Sequence, residues 1–251
     1  MPTLTAAPAV TAQEKEQFER DGFFLREGLV SPALIAQISR EIDGLHEAMS
    51  QAAPEGVHAS WEKQVEGRPK RIRQLMHSEK VSPGLNQVLR GPEVLDILEA
   101  LVGPDLSLFH SKLLMKAARD GSVTPWHQDY AYWKRGENRP VQVNMMLAID
   151  PATIENGCIQ FVPGTHKQGL IKHDREQGVS FGVYLPGFFQ KREGAVFCEM
   201  APGDGIFFGS LVIHGSEGNH SAHGRRANTI AYTVTGDDPT QCREVLRGRG
   251  L

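Results

Sequence analysis

From Leu106 onward the chain is a succession of short apolar runs, each closed by glycine, proline, aspartate or asparagine: LSLFHSKLLMKA, VQVNMMLAID, CIQFVPG, AVFCEM, GIFFGSLVIHG and NTIAYTVTG. Turn signals at ENG (155–157), PG (163–164) and PGDG (202–205) punctuate them. Spacing of this kind predicts an all-β barrel or sandwich rather than alternating βαβ units. No internal repeat or low-complexity tract interrupts it.

The preceding residues have a helical texture. Thr11 is placed to N-cap a helix over 12–22 that Gly22 ends, and FFLREG (23–28) reads as a strand. Ser31-Pro32 is a helix start, and Ala33, Leu34, Ile38, Ile42 and Leu45 recur at helical spacing, so a helix is expected to about Gln51. Residues 52–70 read as polar and irregular, and a further helix over 84–103 is broken or kinked at Gly91-Pro92. The expected organisation is one domain over 1–251, with an N-terminal helical layer (1–105) packed on a β core (106–236). The insert 167–195 is long enough to be a lid, whose Phe181, Tyr184, Phe188 and Phe189 can close over a substrate.

Charge and cysteine usage exclude several roles. A net charge of −3 gives no electrostatic reason for a nucleic-acid or anionic-membrane partner, and RPKRIR (68–73) is a local patch on a solvated face. Cys158, Cys198 and Cys242 are scattered and form no C-x-x-C pair, which fits a reducing compartment. No run approaches the ~18 apolar residues of a membrane helix. Neither a signal peptide nor a peroxisomal address is evident, so a cytoplasmic location is expected.

The chemistry concentrates in PWHQDYAYW (125–133). On a strand, residues i and i+2 share a side, so His127 and Asp129 can face a barrel interior while Gln128 points away. Two imidazoles and one carboxylate on one face of a metal, with the other face open, is the ligand set of a non-haem iron(II) oxygenase. Alone, H-x-D is a chance match more often than a site. His214, at the end of an apolar strand, can supply the missing ligand. Arg225, eleven positions later at the start of another strand, can grip a dicarboxylate with its planar fork better than a lysine could.

With these residues assembled, the chain resembles the phytanoyl-CoA dioxygenase family of iron(II)/2-oxoglutarate-dependent oxygenases. His127-x-Asp129, HGSEGNHSAHGRR (214–226), ENGCIQFVPGTHKQG (155–169) and the opening DGFFLREGLVSPALI (21–35) carry the resemblance, which covers nearly the whole chain. It implies a mainly β fold with N-terminal helices, built on a double-stranded β-helix (jelly-roll) core. It implies Fe(II) held by His127, Asp129 and His214, and 2-oxoglutarate on that iron with its far carboxylate on Arg225. Ser216 would bond the same carboxylate, or else serve as a turn residue of the HGS bend. Asn219 and Ser221 would satisfy the backbone of their loop.

The implied reaction consumes O₂, with ascorbate as a supporting reductant. It converts 2-oxoglutarate to succinate and CO₂ while hydroxylating an unactivated C–H of a small metabolite. The carboxylate of Asp129 stands where related halogenases have a small residue, which argues against halogenation. Desaturation or cyclisation from the same iron site is the alternative outcome, and a catalytically silent jelly-roll that binds a metabolite is the alternative of another class. Trp126, Tyr130, Tyr132 and Trp133 flank the ligand pair and stand equally for packing or for a pocket wall. The basic stretch Arg71–Arg73, with Gln74, is a candidate to reach into the site and meet an anionic substrate or 2-oxoglutarate, and Lys116, Gln142 or Asn144 on neighbouring strands are candidates for polar contacts. His110 is assigned to the core, and His220 and His223 to an exposed loop.

Overall fold

The computed structural model describes residues 9–133, 142–176, 182–187, 190–234 and 244–248. Helix α1 (Ala12–Asp21) starts at a capping box, in which Thr11 and Glu14 bond each other's backbone N–H, and stops at Gly22 in the left-handed conformation. Strand β1 (Phe23–Arg26) follows directly. The single helix expected to Gln51 is instead two, α2 (Pro32–Ile42) and α3 (Leu45–Gln51). The break falls where Asp43 is extended and Gly44 takes φ +81°.

Strands β2 (His58–Trp61) and β3 (Ile72–Met76) lie within the stretch expected to be irregular or helical. They pair with each other, and β3 joins the large sheet, so residues 1–105 are not a purely helical layer. Helices α4 (Pro83–Arg90) and α5 (Pro92–Val102) separate at Gly91, because Pro92 has no N–H to continue α4 and its fixed φ suits the first position of α5.

The apolar runs become β4 (Leu106–Lys116), β5 (Thr124–His127), β6 (Gln142–Ala148), β7 (Ile159–Val162), β10 (Val196–Cys198), β11 (Gly205–Gly209), β12 (Ile213–Ser216) and β13 (Arg225–Val234). A short helix, α6 (Tyr130–Trp133), follows β5, and β14 (Glu244–Arg247) pairs with β4. The insert is not a structureless loop: β8 (Asp174–Arg175) and β9 (Val183–Tyr184) form an antiparallel ladder within it. Its Phe181, Phe188 and Phe189 lie outside the described residues.

Two sheets enclose the site. One has eight strands in the order β1-β11-β6-β13-β4-β3-β2, with β14 beside β4; the other has four, β10-β7-β12-β5. Strand alternation decides what each face touches. Phe24, Leu113, Met145, Leu147, Phe207 and Ile230 pack with Ile35, Ile38, Leu85 and Leu98 of the helices. Their neighbours Phe23, Leu114, Met146, Phe208 and Ala227 point the other way and pack with Ile159 and Phe161 of the smaller sheet. The helices thus cover the outer face of the large sheet, and its inner face closes on the small sheet as a jelly roll. Among the described residues no helix is long and apolar enough to cross a membrane.

Candidate functional site

Strand β5 pairs antiparallel with β12 so that His127 and His214 are direct register partners, and their rings lie 4.2 Å apart. Gly215 makes this approach possible, since a side chain there would meet the Thr124 carbonyl at 3.1 Å and the Trp126 ring at 3.2 Å. Each imidazole bonds through Nδ1 to the carbonyl two residues before it, His127 to Pro125 at 2.7 Å and His214 to Val212 at 3.0 Å. A carbonyl only accepts, so both Nδ1 atoms carry a proton, which leaves the two Nε2 atoms as the ligand positions.

Both Nε2 atoms face Asp129, whose carboxylate lies 3.4 Å from Nε2 of His127 and 3.7 Å from Nε2 of His214. One donor atom from each of the three residues lies within 4.8 Å of the others, and all three are buried. Asn144, on β6 of the facing sheet, donates to Asp129 Oδ2 at 2.9 Å. Burial pushes the Asp129 carboxyl up, but the imidazoles of His214 and His127 and the ammonium of Lys112 outweigh it and hold the acid well below the usual range. Burial, with His127 close by, pushes His214 down to about 4. Two imidazoles and an ionised carboxylate are the donor set that an iron(II) site requires.

Gln128, between the two, does point away, but into protein rather than solvent. Its side chain donates to the carbonyls of Gly169 (2.8 Å) and Leu211 (2.7 Å) and accepts from the backbone of Ile171 (2.9 Å). Its own N–H donates to Nε2 of His173 at 3.0 Å. The insert is therefore bolted to the ligand strand at the residue between His127 and Asp129.

Arg225 enters from the large sheet. It is 3 % exposed, donates from Nη2 to the Gly157 carbonyl at 2.7 Å, and leaves Nε buried without a partner among the described residues. Gly157 holds φ +74°, and a side chain there would collide with the Glu217 carbonyl at 2.4 Å, so the ENG turn that receives Arg225 needs its glycine. Burial alone lowers the guanidinium to about 10, so it stays charged. A buried cation with an orphaned N–H fits the far carboxylate of a dicarboxylic acid. Ser216 lines the same cleft, and no capping bond from its hydroxyl is formed among the described residues. Asn219 and Ser221 bond each other and the backbone carbonyl of His223, as a loop-satisfying pair does.

The cleft between the sheets holds a cavity of about 70 Å³. His127, Asp129, His214 and Arg225 line it, as do Gln74 and Arg73 from β3 and Lys112 and Lys116 from β4. The aromatic residues of the ligand segment fare differently. Trp126 points to the far side of β5, 1 % exposed in a small cluster with Leu185 and Ile213, and donates to the Gln190 carbonyl at 2.9 Å. Tyr130 is buried in the turn after Asp129 and is not among the cleft-lining residues. Tyr132 sets its ring edge-on to His127, centroids 5.5 Å apart, and donates to the Val183 carbonyl at 2.7 Å. Trp133 packs on Phe109 and His110 with Lys112 over its face. Asn144 was a candidate for substrate contact, but its amide serves Asp129. Arg71 pairs with Asp120 instead of reaching the cleft. His110 is buried, and His220 and His223 are exposed.

Lys112, Thr229 and Glu62 also line the cleft and were not singled out from the sequence. A signal existed for the first: Lys112 shares strand parity with Lys116, the register partner of Arg225.

Comparison with known proteins agrees with this fold. The family model for phytanoyl-CoA dioxygenase (PhyH) matches residues 18–227. L-proline trans-4-hydroxylase of Streptomyces griseoviridis is 25% identical over 252 residues, covering 93% of this chain and 90% of that protein. The fold is similar to that of EctD from S. alaskensis with bound Fe (TM-score 0.76, 20% identity, 98% of this chain and 90% of that one). A second structure of EctD, with 2-oxoglutarate and 5-hydroxyectoine, gives a TM-score of 0.73 at 20% identity, covering 98% of this chain and 86% of that one.

Proposed function

The chain belongs to the phytanoyl-CoA dioxygenase family and is a 2-oxoglutarate-dependent non-haem iron dioxygenase, and on that premise we propose that it hydroxylates an unactivated C–H of a small metabolite. The observation that carries this reading is the convergence of two Nε2 atoms and one carboxylate at a single buried point, with a buried arginine in the same cleft whose Nε–H has no partner among the described residues. His127, Asp129 and His214 would hold Fe(II), and Arg225 and Ser216 would hold the far carboxylate of 2-oxoglutarate. Bound there, the iron supplies the O₂ chemistry that couples conversion of 2-oxoglutarate to succinate and CO₂ with oxidation of the substrate; ascorbate keeps it ferrous.

The protein's part is placement. The carbonyls of Pro125 and Val212 fix the tautomer and direction of each imidazole, and Asn144 fixes the carboxylate. Asp129 fills the position a halide would need, which favours oxygen insertion. The buried, sheet-enclosed cleft limits water at the reacting centre and leaves positioning to decide which C–H reacts. The small substrate named for the Streptomyces hydroxylase supports the size class.

The test is a turnover assay with Fe(II), 2-oxoglutarate, ascorbate and isotopically labelled O₂ against metabolite pools. Substrate-stimulated succinate, with one labelled oxygen in the product, is expected. A product short of two hydrogens would assign desaturation or cyclisation instead. Absence of both succinate formation and 2-oxoglutarate binding would overturn the reading.

A further inference from the structure

Lys112 lines the cleft, and its charge favours the ionised form of Asp129. It lies on β4, where residues 112, 114 and 116 alternate into the cleft, and its register partners are Thr229 on β13 and Met76 on β3. Its ammonium stands 5.7 Å from the centre of the Trp133 ring. Among the described residues it forms no hydrogen bond, and no carboxylate lies within ion-pair distance. Burial lowers its pKa, and the charge of Asp129 works against that.

The residue opposite has a matching deficit. Thr229 is 6 % exposed and lines the same cleft, and its hydroxyl is buried without a hydrogen-bond partner among the described residues. One rung of the β4–β13 ladder therefore presents two polar groups to the cleft, a cation and a hydroxyl, that no described residue satisfies. Leaving the buried Thr229 hydroxyl unpaired is costly, so this rung marks where a ligand can supply the partner.

This station is separate from Arg225. Arg225 pairs with Lys116, four rungs along the same ladder. At the rise of a strand that is about 13 Å. Arg225 answers the far carboxylate of the cosubstrate, which leaves Lys112 and Thr229 for a second anion. One ammonium and one hydroxyl supply a single positive charge from two donor groups, which matches a carboxylate better than a phosphate dianion. The Trp133 face supports the ammonium from one side and leaves its other donors to the cleft.

We propose that Lys112 and Thr229 form an anion-binding station for the substrate, so that the metabolite oxidised at this centre carries a carboxylate. The proposal rests on the iron and 2-oxoglutarate reading of the cleft, and its test separates the two. The full-length protein is loaded anaerobically with Fe(II) and 2-oxoglutarate and titrated with small amino and aliphatic carboxylic acids, each paired with its primary amide. Perturbation of the visible band of the iron complex reports binding, and succinate release after admission of O₂ reports coupling. At least one acid is expected to bind and to stimulate succinate release, with its amide about tenfold or more weaker, as loss of a charge-assisted contact dictates.

Lys112→Met, which keeps the side-chain length, should abolish that preference while leaving 2-oxoglutarate affinity within about twofold; Thr229→Val should give a smaller loss of the same kind. Acids and amides acting equally, or no acid acting at all, would overturn the proposal. So would a Lys112→Met variant that loses affinity for 2-oxoglutarate itself, because the station would then serve the cosubstrate. A wild-type protein that forms no 2-oxoglutarate complex would overturn the underlying reading and this inference with it.

Discussion

His127 and His214 are direct partners across the β5–β12 ladder, with their rings 4.2 Å apart and both Nδ1 protons engaged by backbone carbonyls. The pairing has a consequence for acid stability. His214 titrates at about 4 in the folded protein, below its ordinary value of 6.5, so the unfolded chain takes up its proton first as pH falls. Its contribution is fully present above pH 6.5 and is lost as pH drops toward 4. Between pH 7 and pH 5 this linkage amounts to about 2 kcal/mol. Urea unfolding of the metal-free protein should show that loss in the wild type relative to His214→Gln, which lacks the proton-binding group. Equal acid sensitivity of the two proteins would contradict it.

Arg225 is assigned to the far carboxylate by burial, by its single bond to Gly157 and by its orphaned Nε. Arg225→Lys keeps a charge but loses the fork, so the KM for 2-oxoglutarate should rise by one to two orders of magnitude. His223→Ala, in the exposed part of the same loop, should leave it within about twofold. Steady-state succinate assays over a 2-oxoglutarate series distinguish the two, and an unchanged KM in Arg225→Lys would remove the assignment.

Gln128 ties the ligand strand to the insert and to Leu211 through three side-chain bonds. Gln128→Leu leaves two buried carbonyls and an N–H unsatisfied, at roughly 1–3 kcal/mol each. The melting temperature should fall by several degrees and Fe(II) affinity by about tenfold, because His127 and Asp129 flank the loosened residue. Melting curves with and without added Fe(II) read both effects. A variant with unchanged melting and unchanged metal response would show that the insert does not position the site.

Much of this architecture was legible in the chain because it rests on local periodicity. Alternation put His127 and Asp129 on one side of Gln128, and the capping signals at Thr11, Ser31 and Gly91-Pro92 marked helix ends that the fold keeps. The same parity applies to Trp126, which must face opposite to His127 and does. Tyr130, Tyr132 and Trp133 escaped that rule because the chain turns into α6 after Asp129, where strand parity ends. What remained hidden depends on register between distant strands. That Asn144 meets Asp129, and that Lys112 sits opposite Thr229, follow from how β6, β13 and β4 align, which no local pattern encodes. Strands β2 and β3 were missed because each is only four or five residues long and the first is the polar edge of the sheet.

The most direct test of the central claim is the visible absorption of the anaerobic protein after addition of Fe(II) and 2-oxoglutarate. The wild type should develop the weak band of 2-oxoglutarate bound to iron, saturating at one iron per chain. His127→Ala, Asp129→Ala and His214→Ala should each lose it, with iron affinity reduced at least a hundredfold. A wild type that develops no band, or a band that survives loss of any of the three residues, would contradict the assignment of this cleft as the iron and 2-oxoglutarate site.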